Sequence, residues 1–370
     1  MEDKYIACMV LHAVGDTVGF KNGEWEFKNT PLEKMYEFID LGGVNSISLK
    51  NWRVSDDTIM HMRTAEVFIE RIDNINMNKL GQKLKQSYIK ALEQFNNEGH
   101  SYRQPGTATI KYLNRLNDGA EWNTTPYDEI AGGAGAAMRS LCVGLVYYGI
   151  DNRAKLIQTA IEESRITHNS AIGYLGGMTS ALFTALSIEK VNINNWPFIL
   201  LNLFETEIIF KYIKLSNRGH DTHIADAHIF IDRWKRYVED KFDENRQPIK
   251  RKSTINLIYR NKYYNEIFGN TKPESSRNPL PEHSGLIGSD GSDSVIIAYD
   301  SLIDSSGNWE KLVIYSMLHA GDTDTTGSIA AGLYGATYGF EGVPKNFLEN
   351  LEYKNELFNL GKKLYVEYYK

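Results

Sequence analysis

Two short acidic runs carry the most chemical information in this sequence. Ser55-Asp56-Asp57-Thr58 and Gly321-Asp322-Thr323-Asp324-Thr325-Thr326 lie far apart along the chain, and each falls where a helical pattern begins. Adjacent carboxylates repel, and a helix N-terminus offsets only about 0.3–1 kcal/mol per charge. A bound divalent cation neutralises them more completely. Carboxylate and hydroxyl oxygens with no Cys or His beside them favour a hard ion such as Mg²⁺ or Mn²⁺. Brought together by the fold, the two runs could form a two-metal site. Each is also a good helix cap, and on the sequence that reading stays open.

Three further segments could face a ligand. Gly132-Gly133-Ala134-Gly135-Ala136-Ala137-Met138-Arg139 leads into a helical pattern. Glycines let backbone N–H groups approach an anion, a helix N-terminus favours it, and Arg139 adds a fixed positive charge. A diphosphate cradle is one reading and close helix packing through small residues is the other. The run from His283 to Asp293, with Ser284, Gly285, Gly288 and Ser289, clusters Ser and Asp side chains around glycines and reads either as a ligand-facing loop or as a solvated one. Arg165-Ile166-Thr167-His168 joins two helical segments, and His168 could be a ligand contact or a satisfied structural residue.

The elements that must position these residues are helical. Ile6, Met9, Val10, Ala13 and Val14 repeat at three and four, and Gly15-Asp16 is expected to end that helix. Ser55 reads as an N-cap, with Asp56 and Asp57 in the first turn of a helix running to Ile72. Further amphipathic helices are predicted over 79–95, 134–148, 153–164, 171–189, 196–214, 223–240, 308–319 and 325–339. Period-2 alternation is scarce. Ile296-Ile297 and Leu312-Val313-Ile314 are the best strand candidates. The expected fold class is therefore all-α. Residues 241–293, rich in Lys, Asn, Pro, Ser and Gly, break the pattern. Too short a chain follows them for a second core, so a single domain with a long polar loop is expected.

Composition narrows the function classes. Hydrophobic residues make up 42% and charged residues 24%, an ordinary globular balance that argues against disorder. The net charge of −6 argues against a nucleic-acid binder. Cys8 and Cys142 lie in apolar runs and read as buried thiols of a reducing compartment. No run of about 18 apolar residues stands out and the charged N-terminus does not read as a secretory signal, so neither a membrane partner nor export is expected and the cytoplasm is the expected location.

Taken together, these motifs resemble the ADP-ribosylhydrolase family, which includes the dinitrogenase-reductase-activating glycohydrolases. The resemblance covers nearly the whole chain. It runs through Ala13-Val14-Gly15-Asp16-Thr17-Val18-Gly19, Asn22 to Phe27, Trp52-Arg53-Val54-Ser55-Asp56-Asp57-Thr58, Gly132 to Arg139, Arg165 to His168, Gly173-Tyr174-Leu175-Gly176, Ala298-Tyr299-Asp300 and Gly321 to Thr326. The Trp-Glu-Phe and Trp-Arg-Val-Ser segments point to its eukaryotic ADP-ribosylarginine hydrolase branch.

The resemblance implies two Mg²⁺ ions in a cleft, held by Ser55, Asp56, Asp57, Asp322, Asp324 and Thr325, with Asp324 bridging both. It places Glu26 on a mobile active-site loop. Gly132, Gly133, Ala134 and Gly135 would hold a diphosphate, and residues 283–292 would approach the distal ribose and adenine. Mono-ADP-ribosylated proteins would be the substrates, ADP-ribose the product, and a monomer the working form. Leu286, His283 and the segment Asn169-Ser170-Ala171-Ile172 depart from the family pattern, while the metal-ligand positions are intact.

The chemistry expected of such a site is glycoside cleavage through an oxocarbenium-like transition state. A cation makes water nucleophilic near neutral pH, and Asp56 or Asp57 would handle its proton. The sequence does not choose between the two, nor between retention and inversion. Serine-linked or O-acetyl ADP-ribose is the alternative substrate, and a non-catalytic ADP-ribose-binding protein the alternative class. Asp322-Thr323-Asp324-Thr325-Thr326 also matches the nucleophile motif of haloacid-dehalogenase-type phosphohydrolases, but that fold needs alternating strands and more chain beyond Thr326.

Overall fold

The computed structural model describes residues 1–28, 30–70, 76–216, 218, 220–249, 256–269 and 287–369. Every extended element among them is an isolated bridge, and the architecture is all-α.

Small residues set the central packing. The Glu2–Phe20 helix is buried from Tyr5 to Phe20, and it lies directly on the Thr323–Tyr338 helix. A Cβ on Gly15 would sit 2.1 Å from the Gly327 carbonyl oxygen, and one on Gly19 equally close to that of Thr323. Only glycine allows backbones to come this near. The helix therefore runs straight through Gly15-Asp16, where a stop was expected, because tertiary packing outweighs the modest cost of glycine in a helix. Gly361 of the Lys354–Tyr368 helix serves the opposite side, its Cβ position 2.6 Å from Ile6 Cα.

The second core helix, Ala171–Ile188, contains no charged residue. Contrary to the sequence expectation, it is long and apolar enough to cross a membrane, but its whole length is buried inside the fold. Phe183 packs with Trp196, Trp234 and Tyr299, with ring centroids 5.3–5.5 Å from it. One hydrophobic cluster links these helices to the N-terminal pair.

Side-chain caps fix several helix starts. Ser55 Oγ accepts from Asp57 N at 3.1 Å, and Asn76 and Asn308 cap their helices in the same manner. Both strand candidates are helical, in Asp293–Ser305 and Trp309–Met317, because each is surrounded by core on a helical period. The 196–214 segment is two helices, Trp196–Glu205 and Ile208–Leu215, broken where Glu207 adopts φ 56°. Part of the polar 241–293 region is ordered by buried charge. The Leu257–Tyr264 helix carries Arg260, which reaches Asp300 and Asp304 at 2.6 Å, and Lys241 reaches both at 2.7 Å. Burial raises the Asp300 carboxyl, but Lys241 and Arg260 outweigh it and hold the group below the usual carboxylate range.

Candidate active site

The close contact of the Glu2–Phe20 and Thr323–Tyr338 helices brings the two acidic runs together. Asp16, buried on the first helix, accepts from Ser55 N at 3.0 Å, Thr58 N at 3.1 Å and Thr58 Oγ1 at 2.5 Å. It thereby holds the start of the Asp56–Phe68 helix against the first turn of Thr323–Tyr338. There Asp322 is the N-cap, accepting from Thr325 N at 3.3 Å, and Asp324 accepts from the same N–H at 3.0 Å. Ser328 Oγ donates to Asp57 Oδ2 at 2.9 Å, which ties the first acidic run to the helix that carries the second. Glu26 arrives on the loop after the N-terminal helix, which Phe27 N fastens to the Gly321 carbonyl at 2.8 Å.

Carboxylate oxygens of Glu26, Asp322 and Asp324 lie within 4.8 Å of one another. Asp16, Glu26, Asp56, Asp57, Asp322 and Asp324 all have pKa values above the ordinary carboxylate range. Desolvation is the first cause for each, and for all but Asp324 itself the Asp324 charge is the second; Asp16 is pushed up to about 7. The nearby ammonium of Lys34 does not balance them. Burial lowers it to about 7, and it donates at 2.6 Å to the His319 carbonyl. Carboxylates gathered out of water in this number are stable only with protons or cations among them. Glu26 Oε2 is a buried atom without a hydrogen-bond partner. An oxygen-only set with an unspent acceptor fits a hard divalent cation.

These acids form one end of a cleft of about 750 Å³. Glu26, Asp56, Asp57, Asp322 and Thr325 line it, while Ser55 and Asp324 are buried behind them. Gly132, Gly133, Ala134, Gly135, His168 and Ser289 line it as well. Gly288 does not. Its N–H donates to Asp293 Oδ2 at 2.9 Å, which ties the loop to the Asp293–Ser305 helix. Ser284 and Gly285 lie outside the described residues.

The glycine-rich wall differs from its sequence expectation in two ways. First, residues 131–140 are mostly turn, and the helix that follows, Leu141–Val146, is short and begins beyond the cradle. The turns are held instead by pairing with the distant 287–293 segment. Ala134 N donates to the Ser289 carbonyl and Gly291 N to that of Gly132, both at 3.0 Å. Secondly, Arg139 is fully buried and does not line the cleft. Its guanidinium donates to Glu163 at 2.5 Å, to Tyr88 at 3.1 Å, to the Gly135 carbonyl at 2.8 Å and to Thr167 Oγ1 at 2.7 Å. A charge so neutralised braces the loop from behind and has no donor left for an anion.

Sequence reasoning missed several lining or supporting groups. In the sequence Asp16 reads only as part of a motif and of a helix stop, although an acid in an apolar helix is a usable signal. Arg233, from the His220–Lys241 helix, lines the cleft and donates at 2.5 Å to Asp290 Oδ2 and Ser292 Oγ, with no local motif to mark it. Thr109 Oγ1, on the Thr107–Asn117 helix, is buried at the cleft without a partner. The remaining charges on the lining are mostly acidic: Asp128, Glu129 and Asp226, with Lys111 paired to Asp128 at 2.7 Å.

With this geometry in place, comparison with known proteins is informative. Residues 1–370 match the family model described as ADP-ribosylglycohydrolase. ADP-ribosylhydrolase ARH1 of Dictyostelium discoideum is 34% identical over 369 residues, covering 96% of this chain and 92% of that one. A protein of Acanthamoeba polyphaga mimivirus, provisionally named ADP-ribosyl glycohydrolase L444, is 41% identical over 95% of this chain and 68% of its own length. A solved structure, an ADP-ribosylglycohydrolase-related protein complex, aligns over 99% of this chain and 98% of its own with a TM-score of 0.58 and 18% identity, a likeness of fold.

Proposed function

This chain belongs to the ADP-ribosylglycohydrolase family, and from that premise we propose that it hydrolyses the N-glycosidic bond between ADP-ribose and arginine side chains of mono-ADP-ribosylated proteins, with two Mg²⁺ ions as cofactors. The observation that carries the proposal is the convergence of Asp56, Asp57, Asp322, Asp324 and Glu26 at one end of a cleft whose wall is the Gly132–Gly135 turn. In this reading one end would take cations and a sugar, the other a diphosphate.

Ser55, Asp56, Asp57, Asp322, Asp324 and Thr325 would hold the ions. When bound, these would supply Lewis acidity, making water nucleophilic near neutral pH and fixing the ribose hydroxyls. The chain's own groups do the rest. The backbone of Gly132–Gly135 and Ser289 orients the ligand along the cleft, so that the C1″–N bond lies over the acids. Asp56 or Asp57, both on the lining, accepts the proton of the attacking water. Glu26 sits with its pKa raised, burial first and Asp324 second. A raised pKa favours the neutral carboxyl, the form that can donate to a leaving group.

Arginine as the acceptor is supported by charge. A guanidinium leaving group is cationic, and the lining acids Asp128, Glu129 and Asp226 favour a cation, whereas a serine hydroxyl gains nothing from them.

The test is release of free ADP-ribose from an arginine-modified and a serine-modified protein, each with Mg²⁺ and with EDTA. Mg²⁺-dependent release from arginine alone is expected. Release from serine alone would overturn the acceptor, and binding of ADP-ribose without release from either would overturn catalysis. Asp57→Asn and Asp324→Asn are each expected to lower turnover at least about 100-fold. Turnover like that of the unaltered protein in either variant would remove the assigned site.

A further inference from the structure

The mechanism leaves unused a hydrogen-bond chain that begins behind the glycine turn and ends in the cleft. Arg139 Nη1 donates to Thr167 Oγ1 at 2.7 Å, and the same oxygen lies 2.8 Å from His168 Nδ1. Both residues behind the ring, Arg139 and Thr167, are fully buried.

The donor inventory fixes the direction of this chain. Guanidinium only donates, so Thr167 Oγ1 accepts from it. If His168 Nδ1 also carried a proton aimed at that oxygen, the Thr167 hydroxyl hydrogen would be stranded in the core with no acceptor among the described residues. With the hydroxyl donating to Nδ1 instead, every group is satisfied. The imidazole proton is then on Nε2.

Nε2 has no protein partner among the described residues and sits beside the glycine turn. A Cβ on Gly135 would lie 2.8 Å from Nε2 and 3.2 Å from Thr109 Oγ1, and one on Gly133 would lie 3.7 Å from Nε2. Thr109 Oγ1 is buried, unpartnered and on the cleft lining. Two neutral donors thus converge on one spot against bare backbone.

We propose that Thr167, anchored by Arg139, is a positioning residue that locks His168 as its neutral Nε2–H tautomer, and that His168 Nε2–H and Thr109 Oγ1–H together receive a phosphoryl oxygen of the ligand at the Gly133–Gly135 turn. The identity of the ligand rests on the proposed function; the tautomer does not. The charged groups facing the ring agree with a neutral imidazole. Burial and then Arg139 drive its pKa down to about 3, against the weaker opposing pull of Asp128.

Long-range ¹H–¹⁵N spectra of the ligand-free protein labelled at histidine test the lock directly, with the His168 signals identified by their loss in His168→Gln. A protonated Nε2 and an unprotonated Nδ1 are expected at pH 6. A protonated Nδ1, or an imidazolium, overturns the proposal without any variant having to fold.

Calorimetry with ADP-ribose tests the consequence. Thr167→Val is expected to mix the tautomers and weaken binding about five- to tenfold, the loss of one neutral hydrogen bond. Thr167→Ser should restore both signals, and Thr109→Val should weaken binding similarly while leaving the His168 tautomer intact. A folded Thr167→Val with unchanged tautomer and affinity overturns the positioning role. Absence of ADP-ribose binding to the unaltered protein overturns the proposed function and the ligand assignment, and leaves the tautomer result standing on its own.

Discussion

Asp16 Oδ2 accepts both the backbone N–H and the hydroxyl of Thr58, at 3.1 and 2.5 Å, so a side chain of the N-terminal helix holds the first turn of the helix that carries Asp56 and Asp57. The buried acid is the joint between the two halves of the acidic centre. It faces Asp324 at the same time, and that charge, second only to burial, raises its pKa.

Removing this joint should cost both stability and activity. Asp16→Ala orphans the N–H groups of Ser55 and Thr58, at roughly 1–3 kcal/mol for each donor left without a partner. Turnover should fall about 10- to 100-fold, as for other groups that orient metal-binding residues. Asp16→Asn keeps one acceptor and removes the charge facing Asp324, so in EDTA it should unfold at a higher urea concentration than Asp16→Ala. Equal midpoints for the two variants would contradict the capping role.

The raised carboxylates make stabilisation by a divalent cation depend on pH. A carboxylate whose folded pKa is raised contributes stability that is complete below the ordinary carboxylate range. That stability is lost as pH rises through the folded value, about 7 for Asp16. The metal-free protein therefore holds protons in this centre that the unfolded chain has released, and a bound cation replaces them. The rise in melting temperature on adding Mg²⁺ should be larger at pH 8 than at pH 5.5. At a free concentration 100 times Kd the stabilisation is about 2.7 kcal/mol. The neutral buried histidines cancel, since they are common to both arms of the comparison. A shift independent of pH would argue against cation binding at these acids.

Arg139 gives a third expectation, opposite to that of a surface phosphate contact. Arg139→Met leaves Glu163 buried without its cation and should destabilise the fold by about 3–5 kcal/mol in urea titration. Arg139→Lys should not rescue it, because one ammonium cannot replace a fork that reaches Glu163, Thr167 and the Gly135 carbonyl together. A loss below about 1 kcal/mol in Arg139→Met would show that the pair is not a structural brace.

Two glycines should fail in different ways. Gly15→Ala puts a methyl group 2.1 Å from the Gly327 carbonyl oxygen. Forcing those helices apart should cost at least about 1–3 kcal/mol. Gly135→Ala places its methyl 2.5 Å from His168 Cε1 at the cleft, so the ring must move. Its main effect should be on ADP-ribose affinity by calorimetry, with a smaller change in melting temperature. The reverse pattern would mean that the Gly135 turn is a packing device alone.

The sequence by itself determined the helical class, several helix starts and the identity of the acids. Periodicity and side-chain capping act over a few residues, so the Ser55 cap could be read locally. The residues at 56, 57, 322 and 324 were legible because redundant carboxylates at helix starts are costly enough to need a reason. Tertiary structure alone decided what lies between distant segments. Gly15 looks like a stop until Gly327 is seen against it, since the contact that keeps the helix running comes from the far end of the chain. Arg139 looks like an anion contact until Glu163 and Thr167 claim its donors. Thr109 and Arg233 carry no local signature, because a single polar side chain gains its role only from what the fold places opposite it. The two acidic runs could each have been an ordinary cap. It is the backbone-to-backbone approach of the first helix and the Thr323–Tyr338 helix that sets them face to face, out of water, where their mutual repulsion calls for a cation.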